Sequence, residues 1–299
     1  MTENTIEIKN LNKFYGKKHA LKNINLTIEK GMFGLLGRNG AGKTTLMRIL
    51  ATTLQKSDGE VKILGTDLKN TRNIRKITGY LPQEFSMYPS MSVYDALEYL
   101  GILSGMSGKN FRENIDKLLS TVNLQEKRNV KIRSLSGGMK RRLGIAQALL
   151  HNPKILIVDE PTAGLDPEER IRFRNLLSEV ASERIVILST HIVGDIEATC
   201  EKTAILNAGE LIYNGTVENL IKNAEGNVYT LEADRSEIIV LKKKYNITGI
   251  QTSGNKAFIR FISDTEVKNA KLCTPNIEDA YMFYLFEKGS FVNISGGEI

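Results

Sequence analysis

The stretch MFGLLGRNGAGKTTLMRIL, Met32 to Leu50, constrains this chain's fold more than any other. MFGLL is a short apolar run with the pattern of a buried strand, and TTLMRIL has helical spacing. Between them, Gly37, Gly42, Lys43 and Thr44 satisfy G-x-x-x-x-G-K-[ST] without departure. The spacing predicts strand, tight loop and helix, the helix running from Gly42 to about Ala51. Glycines let backbone N–H groups curl around phosphate oxygens, and the helix start adds partial positive charge. Gly37, Asn39, Gly40, Ala41, Gly42, Lys43, Thr44 and Thr45 are therefore candidate phosphate contacts. Lys43 is expected to reach the β- and γ-phosphates of a nucleotide, and Thr44 to offer its hydroxyl to Mg2+.

An acidic counterpart stands in KILIVDEP, Lys154 to Pro161. Four apolar residues end in Asp159 and Glu160, and adjacent carboxylates at the mouth of a buried strand are costly unless something cationic or polar meets them. Asp159 suits a Mg2+ shell, and Glu160 suits polarising an attacking water. These residues leave the nucleotide open. The absence of an N-K-x-D run weakens a GTPase reading, whereas a kinase is still compatible. A second phosphate-like device adds a puzzle. LSGGMKRR, Leu135 to Arg142, sets Ser-Gly-Gly before a basic helix, with Ser136 standing 93 positions beyond Lys43.

The rest of the chain reads as α/β. TIEIKNL and NINLTI alternate as strands, and EVKIL and ITGYL continue the pattern. Ser92 is a good N-cap for VYDALEYLGIL, and FRENIDKLLSTVNL has helical spacing, so residues 89–142 are expected to form a mostly helical insert. ILIV and RIVILS are unbroken apolar runs, as in parallel strands covered on both faces, with helical DPEERIRFRNLLSEVA between them. That order implies a right-handed crossover. KTAIL and GELIYNG read as a terminal strand pair. AEGN, Ala224 to Asn227, breaks the pattern, dividing the chain into residues 1–224 and a small α+β appendage over 225–299. Lys242 to Lys244 read as a solvated helix face.

Composition excludes several classes. The polar start, MTENTIEIKN, carries no apolar segment of a secretory leader. No uncharged run exceeds 11 residues, as in Leu143 to Pro153, whereas a membrane span needs roughly 18 or more. Any membrane role is thus expected to need a partner. Cys200 and Cys273 suit a reducing compartment, and His19, His151 and His191 make no zinc-like spacing. The net charge of +7 is uneven: residues 225–299 hold 9 basic against 10 acidic side chains, so the front of the chain is the basic part. Charge alone is equally compatible with nucleotides, an anionic surface, nucleic acid or an ordinary soluble exterior.

Taken in order along the chain, the motifs resemble those of the nucleotide-binding subunits of ATP-binding-cassette (ABC) transporters. GRNGAGKTT is similar to the family's Walker A loop, LPQE places Gln83 at its Q-loop, and LSGGM resembles its signature. ILIVDEP is similar to Walker B, AGLDP with Asp166 to the D-loop, and STH places His191 at the H-loop. KFYGKKHAL puts Tyr15 where the family stacks an aromatic ring on adenine. The resemblance covers roughly residues 5–223, and its one departure, Arg38 for a common proline, falls where variation is tolerated. NIEDAYMFYL, Asn276 to Leu285, is similar to the tail of ATPases serving bacterial drug, bacitracin and lantibiotic exporters.

The resemblance implies a P-loop NTPase cassette: a mixed sheet core, an antiparallel β subdomain, a helical subdomain and the appendage. It implies ATP and Mg2+ as cofactors, with Thr44, Gln83 and Asp159 at the metal and Glu160 and His191 catalytic. It also resolves the puzzle of two phosphate devices. Two subunits pack head to tail, and Ser136, Gly137 and Gly138 of each cap the γ-phosphate held by the other. A separate transmembrane permease is the expected partner, docking at the insert near Gln83 and Met87–Pro89, with the ATPase cytoplasmic and peripheral on the inner membrane face. Lys140, Arg141 and Arg142 either solvate the helix after LSGG or add positive potential there. A soluble cassette ATPase acting on nucleic acid or ribosomes is the competing reading. It lacks support here, since there are no sustained heptads and only one LSGG and one GKT, and no nucleic acid is expected as a partner.

Overall fold

The computed structural model describes residues 5–287. The first residues of the polar N-terminus, 1–4, and residues 288–299 of the expected appendage lie outside the described residues. β1 (Ile6–Tyr15) and β2 (Lys18–Ile28) form an antiparallel hairpin whose alternate side chains, among them Ile6, Ile8, Leu26 and Ile28, are buried. β3 (Gly31–Leu36) then enters the central sheet, and α1 (Lys43–Leu50) follows the phosphate loop. β4 (Asp58–Ile63) and β5 (Thr66–Asp67) return to the first sheet, giving the antiparallel order β2-β1-β4-β5. α2 (Thr71–Ile77) leads back to the central sheet at β6 (Thr78–Leu81).

Two helices stand where periodicity predicts them, α3 (Val93–Leu103) and α4 (Lys109–Thr121), and α5 (Gly137–Leu149) runs past the expected end of the insert at residue 142. Ser92 caps α3 by accepting the Asp95 N–H at 3.1 Å. Strand, helix and strand follow as β7 (Ile155–Asp159), α6 (Pro167–Ala181) and β8 (Ile185–Thr190), every residue of both strands being buried. α7 (Val193–Thr199) precedes β9 (Lys202–Asn207) and β10 (Glu210–Thr216), an antiparallel pair at the sheet edge, and α8 (Val217–Lys222) follows.

The central sheet has the order β10-β9-β3-β8-β7-β6 and is mixed. β9, β3, β8, β7 and β6 run parallel, while β10 pairs antiparallel with β9. Side chains alternate across it. Phe33, Leu35, Ile155, Ile157, Ile185 and Ile187 pack with α1 and the antiparallel sheet, whereas Leu36, Leu156, Val158, Val186 and Leu188 pack with the helices of the other face. The register sets Leu36 beside Thr190, Asp159 beside Ser189 and Leu81 beside Val158. Four parallel strands thus end along one edge, where α/β sheets bind ligands.

The remaining elements are β11 (Val228–Asp234), α9 (Ile238–Lys244), β12 (Asn246–Ser253), β13 (Lys256–Ile262), β14 (Lys271–Leu272) and α10 (Ile277–Glu287). Their sheet, β12-β13-β11-β14, covers a small core of Ala233, Ala257, Ile259 and Phe261. Lys242 to Lys244 are exposed on α9. α10 turns back: Ile277, Ala280, Tyr281 and Leu285 are buried in the same cluster as Ile196, Leu220 and Ala224. Asp279 on α10 is the anchor, accepting from Thr248 Oγ1 at 2.5 Å and from Arg260 Nε at 2.7 Å.

Candidate nucleotide site

The loop between β3 and α1 needs its glycines for two different reasons. Gly42 holds φ at 112°, a left-handed conformation that side chains resist. At Gly37 a Cβ would come within 2.4 Å of the Leu206 carbonyl oxygen, so the backbone of β9 passes too close for any side chain. Lys43 is buried in the loop it follows, donating to the carbonyl oxygens of Gly37 at 2.7 Å and Arg38 at 3.3 Å. Its Nζ also lies 2.9 Å from Glu160 Oε1, a buried ion pair joining the ends of β3 and β7.

Asp159 is fully buried at the last position of β7. Burial holds its carboxyl above the ordinary range, and hydrogen bonds from the Ser189 and Thr44 hydroxyls oppose that shift. Its Oδ2 is buried without a hydrogen-bond partner. Thr44 and Gln83 border the cavity beside it, so the neighbouring donors are oxygens, the kind Mg2+ prefers. The set fits that ion.

Glu160 takes φ of 49°, rare for a residue with a side chain and a source of strain of about 1–3 kcal/mol. Its N–H donates to Ser189 O at 3.1 Å and lies 3.2 Å from Ser189 Oγ. The conformation turns its carboxylate back across the sheet edge. Oε1 meets Lys43, and Oε2 stands 2.6 Å from Nδ1 of His191, the residue after β8. A carboxylate thus touches a phosphate-loop lysine and a histidine at once.

One cavity of about 360 Å³ is bordered by Tyr15, Asn39, Gly40, Gly42, Lys43, Thr44, Thr45, Gln83 and Glu160. Tyr15 is exposed at the tip of the first hairpin, with Lys13 Nζ 5.1 Å from its ring centroid. Lys18 and Ala20 also border the cavity and escaped the sequence reading. The hairpin register was the available signal for Lys18, which pairs directly with Tyr15. Ala41 is buried within the loop, and His191 joins the site through Glu160.

Ser136, Gly137, Gly138 and Asp166 do not border this cavity. Ser136 caps α5, accepting the Met139 N–H at 3.2 Å, and a Cβ on Gly137 would meet only open space. Asp166 caps α6, accepting the Glu169 N–H at 2.9 Å. Two of the basic residues after the glycines do more than face solvent. Arg141 donates to the Gln83 carbonyl at 2.6 Å, and burial lowers the pKa of its guanidinium. Arg142 is buried, donating to the carbonyls of Val122 and Asn123 and pairing with Glu169. α10 also comes near: burial raises the Tyr281 hydroxyl pKa, while the Arg38 charge acts on it in the opposite direction.

Comparison with known proteins identifies the family. The ABC transporter family model matches residues 21–163. The ABC transporter ATP-binding protein YxlF of Bacillus subtilis strain 168 is 39% identical over 227 residues, 76% of this chain and 76% of that protein. The linearmycin resistance ATP-binding protein LnrL of the same organism is 34% identical over 224 residues, 74% of this chain and 72% of its own length. Among solved structures, the dimeric post-hydrolysis state of the ATP-binding cassette MJ0796, bound to ADP and Pi, superimposes with a TM-score of 0.64 at 28% identity, covering 71% of this chain and 98% of that one. Phosphate loop, acidic strand end and overall match converge: this chain belongs to the ATP-binding proteins of ABC transporters and is an ATPase of that family.

Proposed function

We propose that two copies of this subunit, or this subunit and a homologue, close head to tail around two Mg-ATP, and that hydrolysis reopens them to drive transport through a separate membrane permease. The observation that carries this reading is a half-built cavity. Lys43, Thr44 and Gln83 border it, yet Ser136 to Gly138 stand apart from it at the N-terminus of α5 with open space at Gly137. A second copy supplies those donors to the γ-phosphate, and the N-terminus of a 13-residue helix suits that anion.

In this reading Lys43 and the loop amides hold the phosphates, Tyr15 stacks on adenine, and Thr44, Gln83 and Asp159 hold Mg2+. The metal, when bound, neutralises charge on the β- and γ-oxygens. Glu160 accepts the proton of the attacking water. His191, hydrogen-bonded to Glu160, orients that water and contacts the γ-phosphate. Asp166 lies at the facing edge between copies. Residues 1–224 form the cassette and 225–299 an accessory segment.

The permease docks on the insert, where Tyr88, Ile102 and Leu103 are 56%, 58% and 66% exposed. No helix among the described residues is long and apolar enough to cross a membrane, which suits a peripheral subunit on the inner face. Export is the direction supported by the tail and by a relative named for drug resistance.

Ser136→Arg places a bulky cation where the γ-phosphate is to be capped. It should leave nucleotide binding to the single chain intact and abolish ATP-dependent dimers in light scattering. Persistence of those dimers in the variant removes the capping role. Glu160→Gln should slow turnover by about 10²–10⁴-fold while binding survives.

A further inference from the structure

A fully buried carboxylate outside the nucleotide cavity ties together the two segments that carry Glu160 and His191. Asp195, in the first turn of α7, is 0% exposed. Its Oδ2 accepts the Thr162 hydroxyl at 2.5 Å. Its Oδ1 has no hydrogen-bond partner and faces Nη1 of Arg174 at 3.7 Å, from α6. Arg174 also donates to the Gly194 carbonyl at 3.2 Å, so the guanidinium holds the start of α7 from a second side. Burying a carboxylate in this way costs several kcal/mol unless its partners recover it, which calls for an account of what the charge does there.

Position answers that question. Thr162 lies two residues after Glu160, and Asp195 four residues after His191. The functional contact between Glu160 and His191 spans the same two segments, but the His191 side chain is 44% exposed, where an isolated pairing contributes little. The Thr162–Asp195 bond is a second tie beneath it, shielded from water. Glu160 needs that tie because its backbone is held at φ of 49°, a conformation that persists only when its surroundings over-determine it. Ser189 fixes the N–H of Glu160 on one side, and Asp195 fixes the turn on the other through Thr162. Thr162 O in turn accepts the Leu165 N–H at 3.2 Å, carrying the constraint to Asp166.

We propose that Asp195 is a positioning residue for ATP hydrolysis. By holding Thr162, it keeps Glu160 in its left-handed turn and in register with His191. The inference rests on the reading of Glu160 as the group that accepts the water proton. Thr162→Val, which removes one hydroxyl and nearly conserves volume, is the principal test, with Asp195→Asn beside it and Glu160→Gln as reference.

In the full chain, Thr162→Val and Asp195→Asn should each lower kcat by about 10–100-fold, the scale of a misplaced catalytic group. KM for ATP should stay within about threefold and ATP-dependent dimerisation should persist, because ground-state binding is untouched. Thr162→Ser should restore turnover. Adding Thr162→Val to Glu160→Gln should cost less than about twofold more, since both act through one group. If Glu160→Gln is slow and Thr162→Val turns over normally, the positioning inference falls and the Glu160 reading stands. If Glu160→Gln itself turns over normally, the Glu160 reading falls and takes this one with it. A Thr162→Val variant that loses nucleotide affinity or dimerisation along with turnover overturns the inference in favour of general loosening.

Discussion

Replacing Asp279 by alanine removes the anchor between α10 and the sheet it crosses. Asp279 is 1% exposed, while the Arg260 side chain beside it is 28% exposed. The carboxylate accepts from Thr248 on β12, from Arg260 on β13 and from the Asn276 N–H at 2.9 Å. The hydrogen bond from Arg260 to Asp279 also holds that guanidinium more firmly charged than usual. Removing one member of a buried pair costs about 3–5 kcal/mol, because the other charge is left uncompensated. Arg260 keeps the Thr274 carbonyl and some water, which puts the expected loss at the low end, about 3 kcal/mol. A loss of that size raises the local opening equilibrium about 10²-fold. Hydrogen exchange at the α10 amides, read by mass spectrometry, should accelerate by that factor, because local openings set exchange where the helix detaches. Asp279→Ala combined with Arg260→Met should exchange more slowly than Asp279→Ala alone, since no lone charge remains. Acceleration below about threefold in the single variant would mean that Arg260 is already solvated and the pair holds nothing.

Two further outcomes follow from packing. At Gly79 a Cβ would stand 2.1 Å from the Ala148 carbonyl oxygen, so Gly79→Ala must push β6 off α5. It should cost about 3 kcal/mol and several degrees of Tm in a thermal melt; an unchanged melt refutes that contact. Burial pushes the Cys200 thiol up to about 12, whereas Cys273 is only partly buried. Iodoacetamide at pH 8 should therefore label Cys273 before Cys200 in the native chain, and both in urea; equal native rates would place Cys200 at the surface.

Much of the architecture was legible because the strongest signals are local. The buried strand before Asp159, the glycine loop before Lys43 and the Ser92 cap each declare themselves within a few residues. Less was legible where a side chain's meaning depends on distant neighbours. α7 was missed because HIVGDIEATC mixes β-branched residues with a glycine and the helix spans only seven residues. Within it, an aspartate in a first turn reads as an ordinary helix-start acid, and nothing local reveals that Thr162 and Arg174 enclose it. Arg142 gave the same difficulty: the residues before it, Lys140 and Arg141, are basic and exposed or half-buried, but its partners, Val122, Asn123 and Glu169, come from other elements. AEGN, Ala224 to Asn227, breaks the sequence pattern, but periodicity cannot show that α10 packs back against Ile196, Leu220 and Ala224.

That return crossing makes α10 a filling piece for the segment from α7 to α8. Tyr284 packs edge-on against Tyr213 at 4.9 Å between ring centroids and accepts a hydrogen bond from Asn223 at 2.7 Å. A protein cut after residue 224 would lay bare Leu220, Ala224 and Tyr213 together, so it should be sticky rather than minimal. Anyone exchanging tails between relatives must graft the closing helix with its seat. Whatever pries that helix loose also alters the surroundings of Arg38, the residue after Gly37 in the loop between β3 and α1.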